Sequence, residues 1–480
     1  MTKINYPVKI MQKLLGRYYL QVTFIVCLAL IIVVNGCNTI IPLKKQIQTQ
    51  SQVQVQRIPT RTFVDWCVNQ TKLSSAAKDT IEFMLRDAGT TDCIQANKML
   101  DTRDEFSIHG EGITDISPLS SLTNLRKLSL SANQISDISP LSSLTNLTIL
   151  ELDRNIISDI TPLKFLTNLT ELSIWVNQVS DIYPLKNLIN LSILNLSVNS
   201  IKDINNLENL HNLRRLSLGS NQISNINILK FLKNLTNLSV GNNQISDISP
   251  LKYLTKLTEL GISRNQISDI SPLKYLTKLT NLTLNNNKIS DISPLQFLTN
   301  LNELSMNRNR VSDITHLQFL TNLNKLYLIN NQIYDVSPLR YLTKLKEIYL
   351  TNNKILDLSM LDNINLTFLD LMNNQISDVS SLKFMKNLTM LSLADNKISD
   401  ISPLKSLVRL TELYLSENQI SDVSSLKSLT NLTRLDIANN RIADISKLKP
   451  LTNLLELYLE GNPLTNRNCP LVPDFRCRYE

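Results

Sequence analysis

The stretch LRKLSLSANQISDISPLSSLTNL, residues 125 to 147, contains a pattern that recurs along most of the chain. Fourteen of the fifteen intervals between its asparagines are 22 residues long, and the remaining interval, from Asn353 to Asn374, is 21. The asparagines stand at positions 133, 155, 177, 199, 221, 243, 265, 287, 309, 331, 353, 374, 396, 418, 440 and 462. A fixed period of this length indicates a solenoid in which each repeat forms one coil.

Aliphatic residues change their spacing at each asparagine. Before Asn133, Leu128 and Leu130 alternate with other residues, which predicts a short strand with one apolar face. After it the spacing becomes three residues, which predicts a tight turn or 3₁₀ segment on the return path, with Ser139 as N-cap and Pro140 as the first helical residue. One coil cannot bury its aliphatic residues alone, so the coils must stack.

The repeated asparagines are predicted to lie inside the coils, where an unpaired amide is costly. We interpret them as a ladder whose side chains bind backbone groups of neighbouring coils. This role is structural, so the asparagines are not candidates for a functional site.

The motif NQISDISPLxxLTNL, present nearly letter for letter at 133–147 and 243–257, resembles the 22-residue leucine-rich repeat of bacterial internalins. The resemblance extends over residues 107–465. It implies an α/β repeat solenoid with a curved parallel sheet on the concave face, 3₁₀ turns on the convex face and a protein-binding role. The best-known internalins continue into an immunoglobulin-like segment and wall-anchoring sequences, which this sequence lacks, so adhesion to animal cells is not carried over.

The first 36 residues are predicted to be a secretory signal peptide or membrane leader. Basic residues precede an apolar run from Val22 to Val34, which is short for a membrane-spanning helix. The following VNGC resembles a bacterial lipobox, in which Cys37 becomes the lipidated first residue of the mature chain. An uncleaved anchor from Tyr18 to Val34 is the alternative. Either reading predicts a membrane-anchored, extracytoplasmic protein of the bacterial cell envelope.

Residues 37–62 are expected to form a flexible linker, because glutamine, threonine and serine predominate there. Residues 63–106 lack the 22-residue repeat and are predicted to form an α-helical cap, with one helix capped by Ser74 or Ser75 and a second starting near Thr91 or Asp92. Residues 466–480 are predicted to form a C-terminal cap loop. The export signal makes two disulfides plausible, one between Cys67 and Cys93 and one between Cys469 and Cys477. A metal site is the less favoured reading of these cysteines.

Residues six, four and two positions before each asparagine are predicted to project from the concave face. In the first nine coils the minus-four position holds small or polar residues apart from Glu151, whereas Tyr327, Tyr349, Tyr414 and Tyr458 occupy it later. Large side chains and acids on one face favour a site for a partner. The candidate binding residues are Tyr327, Ile329, Tyr349, Phe368, Asp370, Met372, Met390, Tyr414, Asp436 and Tyr458, with Trp175 as an isolated earlier case.

The net charge of +8 does not predict nucleic-acid binding, because basic and acidic residues form two parallel rows on the outer turns. Eight aromatic residues ten positions after the asparagines are interpreted as a packed convex spine. The three histidines, His109, His211 and His316, occupy no concave position, and an open surface cannot raise a carboxyl pKa by burial. We therefore expect neither an enzyme nor a cofactor, and we expect a monomer.

Protein–protein interaction through the concave face of an envelope-anchored chain is the primary hypothesis. The first alternative is a surface receptor for glycans or small ligands, in which aromatic rings stack on sugars and acids bind hydroxyl groups. A further alternative is an intracellular repeat protein resembling phosphatase regulators, which conflicts with the leader.

Overall fold

A computed structural model of the chain describes residues 61–361, 364–471 and 477–479. The predicted leader, Cys37 and nearly all of the predicted linker lie outside these residues. Residues Pro59–Glu480 form one compact unit.

The N-terminal cap consists of three α-helices, α1 Phe63–Val68, α2 Ser75–Asp87 and α3 Cys93–Asp101. The Ser74 hydroxyl accepts a hydrogen bond from the backbone of Ala77, and Asp92 caps α3 in the same way, both close to the predicted starts. Buried side chains of these helices, including Ile81 and Met84, join the core of the first coils. The cap thereby covers an apolar end that would otherwise face water.

A single parallel sheet of eighteen short strands runs through the described part of the chain, and each strand pairs with the next one in sequence. The strands β1 to β18 are Glu105–Ser107, Lys127–Ser129, Ile149–Glu151, Glu171–Ser173, Ile193–Asn195, Arg215–Ser217, Asn237–Ser239, Glu259–Gly261, Asn281–Thr283, Glu303–Ser305, Lys325–Tyr327, Glu347–Tyr349, Phe368–Asp370, Met390–Ser392, Glu412–Tyr414, Arg434–Asp436, Glu456–Tyr458 and Cys477–Arg478. Paired residues lie 22 positions apart from β1 to β17, except across β12 and β13, where Glu347 pairs with Phe368 at a separation of 21. The missing residue therefore does not disturb the register. In the last pair, β17 and β18, Leu457 pairs with Cys477 at a separation of 20.

The return path of each coil is a 3₁₀ turn, as predicted. The turns are Ser117–Ser121, Ser139–Ser143, Thr161–Phe165, Tyr183–Leu185, Asn205–Leu207, Asn227–Phe231, Ser249–Tyr253, Ser271–Tyr275, Ser293–Phe297, Thr315–Phe319, Ser337–Tyr341, Ser359–Leu361, Ser380–Phe384, Ser402–Ser406, Ser424–Ser428 and Ser446–Leu448, and Gln70–Lys72 adds one in the cap. The prediction that Ser139 caps its turn is wrong, because Ser139 is its first residue. Its backbone N–H donates to Asp137 Oδ1 at 2.8 Å, and Ile138 occupies the N-cap position.

Aliphatic side chains form continuous columns through the coils. Leu128, Leu130, Ile135, Leu141 and their equivalents are almost completely buried. Each such side chain contributes about 1.5–3 kcal/mol by its burial, and each is covered by its equivalent in the adjacent coil.

The predicted asparagine ladder is present. Asn133 Oδ1 accepts from the backbone N–H of Ile113 at 3.1 Å, and its Nδ2 donates to the carbonyls of Ile108 and Leu130 at 2.9 and 3.0 Å. The same three contacts recur at the later asparagines, for example at Asn418. Each amide is buried or partly buried and joins two coils.

Both predicted disulfides are present, and both lie at the ends of the solenoid. Cys67–Cys93 joins α1 to α3, and Cys469–Cys477 fixes the last residues to the end of the sheet. The C-terminal segment was predicted to be a loop, but Cys477–Arg478 adds strand β18 to it. The cap predicted for residues 63–106 overlaps the solenoid slightly, because β1 already begins at Glu105.

Candidate binding face

The sheet presents every second residue of each strand on its concave face. In β11, Leu326 is buried in the core, whereas Lys325 and Tyr327 are partly exposed on the face, as the alternation predicts. Residues in register form rows across the sheet, so a change of residue size along one row changes the shape of the whole face.

Three aromatic rings form a stack on β11 to β13. The Tyr327 and Tyr349 rings lie 4.5 Å apart with an angle of 16° between their planes. The Phe368 ring lies 4.4 Å from Tyr349 at 32°. All three side chains are partly exposed. Neighbouring rings fix one another, so the stack is a rigid apolar surface that loses little conformational entropy on binding.

Charged groups border the aromatic stack. Lys325 Nζ forms a 2.9 Å ion pair with Glu347, and the Tyr349 hydroxyl donates to Glu347 at 3.4 Å. Burial and the neighbouring phenol and carboxylates raise the pKa of Tyr349, so the hydroxyl remains a donor at neutral pH. The hydrogen bond to Glu347 raises the pKa of Lys325. The stack therefore has an apolar centre and a charged border, the arrangement found in protein interfaces.

A second cluster lies on β15 to β18. The Tyr414 hydroxyl donates to Glu412 at 2.5 Å, and Arg434 Nη1 donates to the same hydroxyl at 3.3 Å. Arg434 also forms a 2.6 Å ion pair with Glu456, which accepts from the Tyr458 hydroxyl at 3.0 Å. The network holds these side chains in one arrangement. Glu412, Arg434 and Glu456 were not among the binding residues predicted from the sequence.

Four of the predicted binding residues are not accessible, and the expectation that they are exposed is wrong. Tyr414 is 4% exposed, Asp436 5%, Met390 6% and Ile329 7%. The alternation correctly gives the face on which a side chain lies, but not its depth. Met390, for instance, lies in register between Phe368 and Glu412. The partly exposed members are Tyr327, Tyr349, Phe368, Asp370, Met372, Tyr458 and Trp175.

Two carboxylates on this face bind backbone and hydroxyl groups. Asp370 accepts from the Thr351 hydroxyl at 2.6 Å and from the Met372 backbone at 3.1 Å. Asp436 accepts from the Ser416 hydroxyl at 3.0 Å and the Ala438 backbone at 3.1 Å. Burial raises the pKa of both groups, that of Asp436 to about 6. These acids stabilise the face rather than offer charge to a ligand.

The Asp436→Asn variant is expected to remove a pH dependence of stability. The native carboxyl keeps its proton up to pH about 6, whereas the unfolded chain releases it near 3.8, so the native state is favoured below pH 4. As the pH rises to about 6 this stabilisation, about 3 kcal/mol, is lost. Urea unfolding midpoints of the wild type should therefore fall relative to those of Asp436→Asn between pH 4 and pH 7.

Asp444→Asn is the matched control with the opposite sign. Hydrogen bonds from the backbone and hydroxyl of Ser446 lower the pKa of the exposed Asp444, so its contribution to stability is lost as the pH falls. A constant difference between wild type and Asp436→Asn across this pH range would contradict the assignment.

Trp175 lies apart from the other candidates. Its strand is seven coils from β11, which corresponds to roughly 30 Å at the usual strand spacing. The Arg154 guanidinium lies 4.8 Å from its ring centroid, and its backbone N–H donates to Asp153 at 2.7 Å. Trp175 does not belong to the same contact surface as the aromatic stack.

A shallow depression of about 330 Å³ lies on β6 to β9, a region that sequence analysis did not select. The small residues Ser217, Ser239, Gly261 and Thr283 line it, with Arg215 and Glu259 beside them. The row of small side chains was visible in the sequence and is the signal for this depression. Its lining offers hydroxyl and charged groups to a polar ligand.

The sequence matches the protein family described as Leucine Rich repeats (2 copies) in eleven segments, which together extend over residues 106–165, 211–318 and 321–468. These segments make up more than half of the chain. The chain is a leucine-rich repeat protein. No curated protein matches its sequence significantly.

Several solved structures resemble this leucine-rich repeat protein. An internalin, inlF, of Listeria monocytogenes is 30% identical, with 81% of this chain and 95% of that chain covered and a TM-score of 0.45. A leucine-rich repeat protein of Leptospira interrogans is 24% identical, with 81% and 98% covered and a TM-score of 0.64. The ectodomain of the receptor kinase GASSHO1/SCHENGEN3 of Arabidopsis thaliana, in complex with CASPARIAN STRIP INTEGRITY FACTOR 2, is 21% identical, with 75% and 53% covered and a TM-score of 0.59. The repeats identify the family, and the Leptospira structure has the same fold.

Within residues 61–361, 364–471 and 477–479, this leucine-rich repeat protein has no helix with the length and apolar character needed to cross a bilayer. The same residues contain no group of three or more histidine, cysteine or acidic side chains arranged to bind a metal ion.

Proposed function

We propose that this chain is anchored to the bacterial cell envelope and binds another protein through the C-terminal half of its concave face. The observation that carries the proposal is the partly exposed stack of Tyr327, Tyr349 and Phe368, bordered by the Lys325–Glu347 ion pair. Aromatic side chains surrounded by a polar border are the groups that contribute most binding energy in protein interfaces.

The comparisons are consistent with a binding role. Repeats of this family typically form scaffolds without enzymatic activity, and the Arabidopsis ectodomain was solved with its partner bound. For this chain we propose a monomer without a cofactor that binds neither nucleic acid nor metal. The partly exposed Tyr327 and Tyr349 then contact the partner directly, and the buried Tyr414 holds Glu412 and Arg434 through its hydroxyl.

Anchoring at the envelope is proposed from the sequence of the leader. The apolar run from Val22 to Val34 and the VNGC motif favour lipidation of Cys37, and an uncleaved anchor is the alternative. An extracytoplasmic location is consistent with the two disulfides, which persist in oxidising compartments. The similarity to internalins also favours a surface protein.

The triple variant Tyr327→Ala, Tyr349→Ala, Phe368→Ala is expected to weaken partner binding at least thirtyfold, because truncation of central aromatic residues typically costs 2 kcal/mol or more. The measurement is affinity capture from envelope extracts on immobilised residues 61–480, followed by a dissociation constant for each protein that the wild type retains.

The matched control is Phe297→Ala, Phe319→Ala, Tyr341→Ala, which removes three rings from the convex side that are 50%, 46% and 46% exposed. Its affinity should stay within twofold of the wild type. If the concave variant retains the same proteins with the same affinity, the stack is not the binding surface.

A receptor for glycans or small ligands is the second candidate, and the depression between Arg215 and Thr283 favours it. Titration calorimetry with soluble oligosaccharides distinguishes the two functions. Saturable heat that disappears when Gly261 is replaced by Trp, a side chain that would fill the depression, supports the glycan receptor over the protein-binding function.

A further inference from the structure

Three consecutive coils carry a basic patch on the convex side, opposite the sheet. Their outer segments, 227–235, 249–257 and 271–279, have the sequences NILKFLKNL, SPLKYLTKL and SPLKYLTKL, which contain six lysines and no acidic residue. All six lysines are exposed. They are Lys230, Lys233, Lys252, Lys256, Lys274 and Lys278. We call these lysines and the rings among them the lysine–ring patch.

One aromatic ring lies in each of these segments. Phe231 is 45% exposed, Tyr253 47% and Tyr275 50%. The ammonium group of the preceding lysine lies 5.0, 5.2 and 5.3 Å from the respective ring centroid. The convex aromatic residues are therefore not a packed spine, as the sequence suggested, but half-exposed rings beneath cations.

The charge of the lysine–ring patch is not neutralised by the protein. Among the described residues, none of the six lysines forms an ion pair within 4.0 Å. The carboxylates of Asp247 and Asp269, in the row of aspartates, already accept hydrogen bonds from the backbone and hydroxyl groups of Ser249 and Ser271. Lys256 donates to Asn234, which leaves its positive charge uncompensated.

The patch also has clear limits along the solenoid. The outer segment before it, 205–213, contains Glu208 and no lysine, and the segment after it, 293–301, contains no charged residue. Two lysines with a ring between them therefore recur over three adjacent coils and stop on both sides. The six lysines are therefore grouped over three adjacent coils and do not continue as a basic track into the coils on either side.

We propose that the lysine–ring patch docks on the surface of an anionic phospholipid bilayer. Lysine ammonium groups pair with lipid phosphates, and half-exposed tyrosine and phenylalanine rings insert at the depth of the headgroups, where amphipathic aromatic residues are favoured. A broad convex patch fits a planar surface better than it fits a single polyanionic chain. The proposal goes beyond protein binding by the concave face, and it orients that face away from the membrane, towards a partner.

The test uses residues 61–480, which include the whole solenoid with both caps and lack the leader. Sedimentation with vesicles of phosphatidylcholine and phosphatidylglycerol at a 3:1 ratio should show binding that is absent with pure phosphatidylcholine. Lys230→Gln, Lys252→Gln, Lys274→Gln should weaken binding roughly a hundredfold, given the usual contribution of each basic residue near an anionic surface. Tyr253→Ser with Tyr275→Ser, which keeps every charge, should weaken it at least threefold.

The matched control is Lys405→Gln, Lys427→Gln, Lys449→Gln. These lysines occupy the same repeat position, but Ser406, Ser428 and Pro450 replace the ring. The control should lose no more than threefold. Equal losses in both lysine variants would show a general charge effect and overturn the proposal. It is also overturned if anionic vesicles do not bind the wild type, or if soluble polygalacturonate binds with the same sensitivity to the variants while vesicles do not.

Discussion

Replacing Asn418 with alanine is expected to lower the free energy of unfolding by about 2–4 kcal/mol, since a buried polar group left without a partner costs about 1–3 kcal/mol and each further hydrogen bond lost costs about 0.5–1.5 kcal/mol. Asn418 Oδ1 accepts from the backbone of Ile398 at 3.0 Å, and its Nδ2 donates to the carbonyls of Leu393 and Leu415 at 2.9 and 3.1 Å. Alanine leaves the Ile398 N–H unpaired, whereas the Leu393 and Leu415 carbonyls each lose one hydrogen bond and keep another, from Asn396 and Asn440. The substitution therefore disrupts two coils at once.

The measurement is the urea unfolding midpoint together with amide hydrogen exchange, because a long repeat array need not unfold in one step. The Ile398 amide should lose protection before amides of distant coils. Asn431→Ala is the control: Asn431 is exposed and makes one contact with the backbone of the previous coil, to the Val408 carbonyl at 2.8 Å, so about 1 kcal/mol or less should be lost. Equal effects of the two variants would contradict the ladder's role.

Removing the Cys67–Cys93 disulfide by the double substitution to alanine is expected to cost about 3.5 kcal/mol. The bridge closes a loop between residues 26 positions apart, and loop closure of this length constrains the unfolded chain by about that amount. It also fixes α1 to α3 over the apolar end of the first coil. Thermal unfolding midpoints without reductant measure the loss, and limited proteolysis should cleave the cap first.

The second bridge provides an internal comparison. Cys469–Cys477 spans only 8 positions, so the loop-closure estimate for its removal is smaller, about 2.5 kcal/mol. If the C-terminal double variant loses more stability than the N-terminal one, loop closure does not determine the contribution of these bridges, and packing of the caps does.

The fold was predictable because each coil repeats the same interactions. Leucine spacing predicted the strands and turns, and the asparagines predicted the ladder, because only a stacked coil satisfies both patterns. The caps were predictable from local signals such as Ser74 and Asp92, which accept backbone hydrogen bonds at helix starts. Strand β18 was not, because the irregular segment that contains it follows the last repeat.

The candidate site was only partly predictable. The alternation of strand residues correctly gave the face for Tyr327, Tyr349 and Tyr414, but not which of them would be covered. Exposure depends on the size and rotamers of neighbours in the adjacent coils. For the same reason the hydrogen-bonded pairs around Arg434 could not be read from spacing alone.

Two other rows had a role that the sequence analysis missed. The aspartates were interpreted as surface charge, but residues such as Asp137 accept a hydrogen bond from the first residue of a 3₁₀ turn in the same coil. The asparagine of each NLT triplet was given no role, yet Asn146 and Asn168 donate to backbone carbonyls of the preceding coil at 3.0 and 2.9 Å. The period of this asparagine row pointed to contacts between coils.

The short coil between Asn353 and Asn374 shows that chain length is constrained differently in the strands and in the segments outside them. Its missing residue falls outside the strands, and Tyr349 still pairs with Asp370 in the unbroken sheet. The loss of a single residue is thus accommodated outside the strands, whereas the sheet gains or loses area only by whole repeats. Gene duplication or protein engineering can add or remove one full repeat. The new junction between coils is then like those already present, so the length of the solenoid changes without a new type of interface.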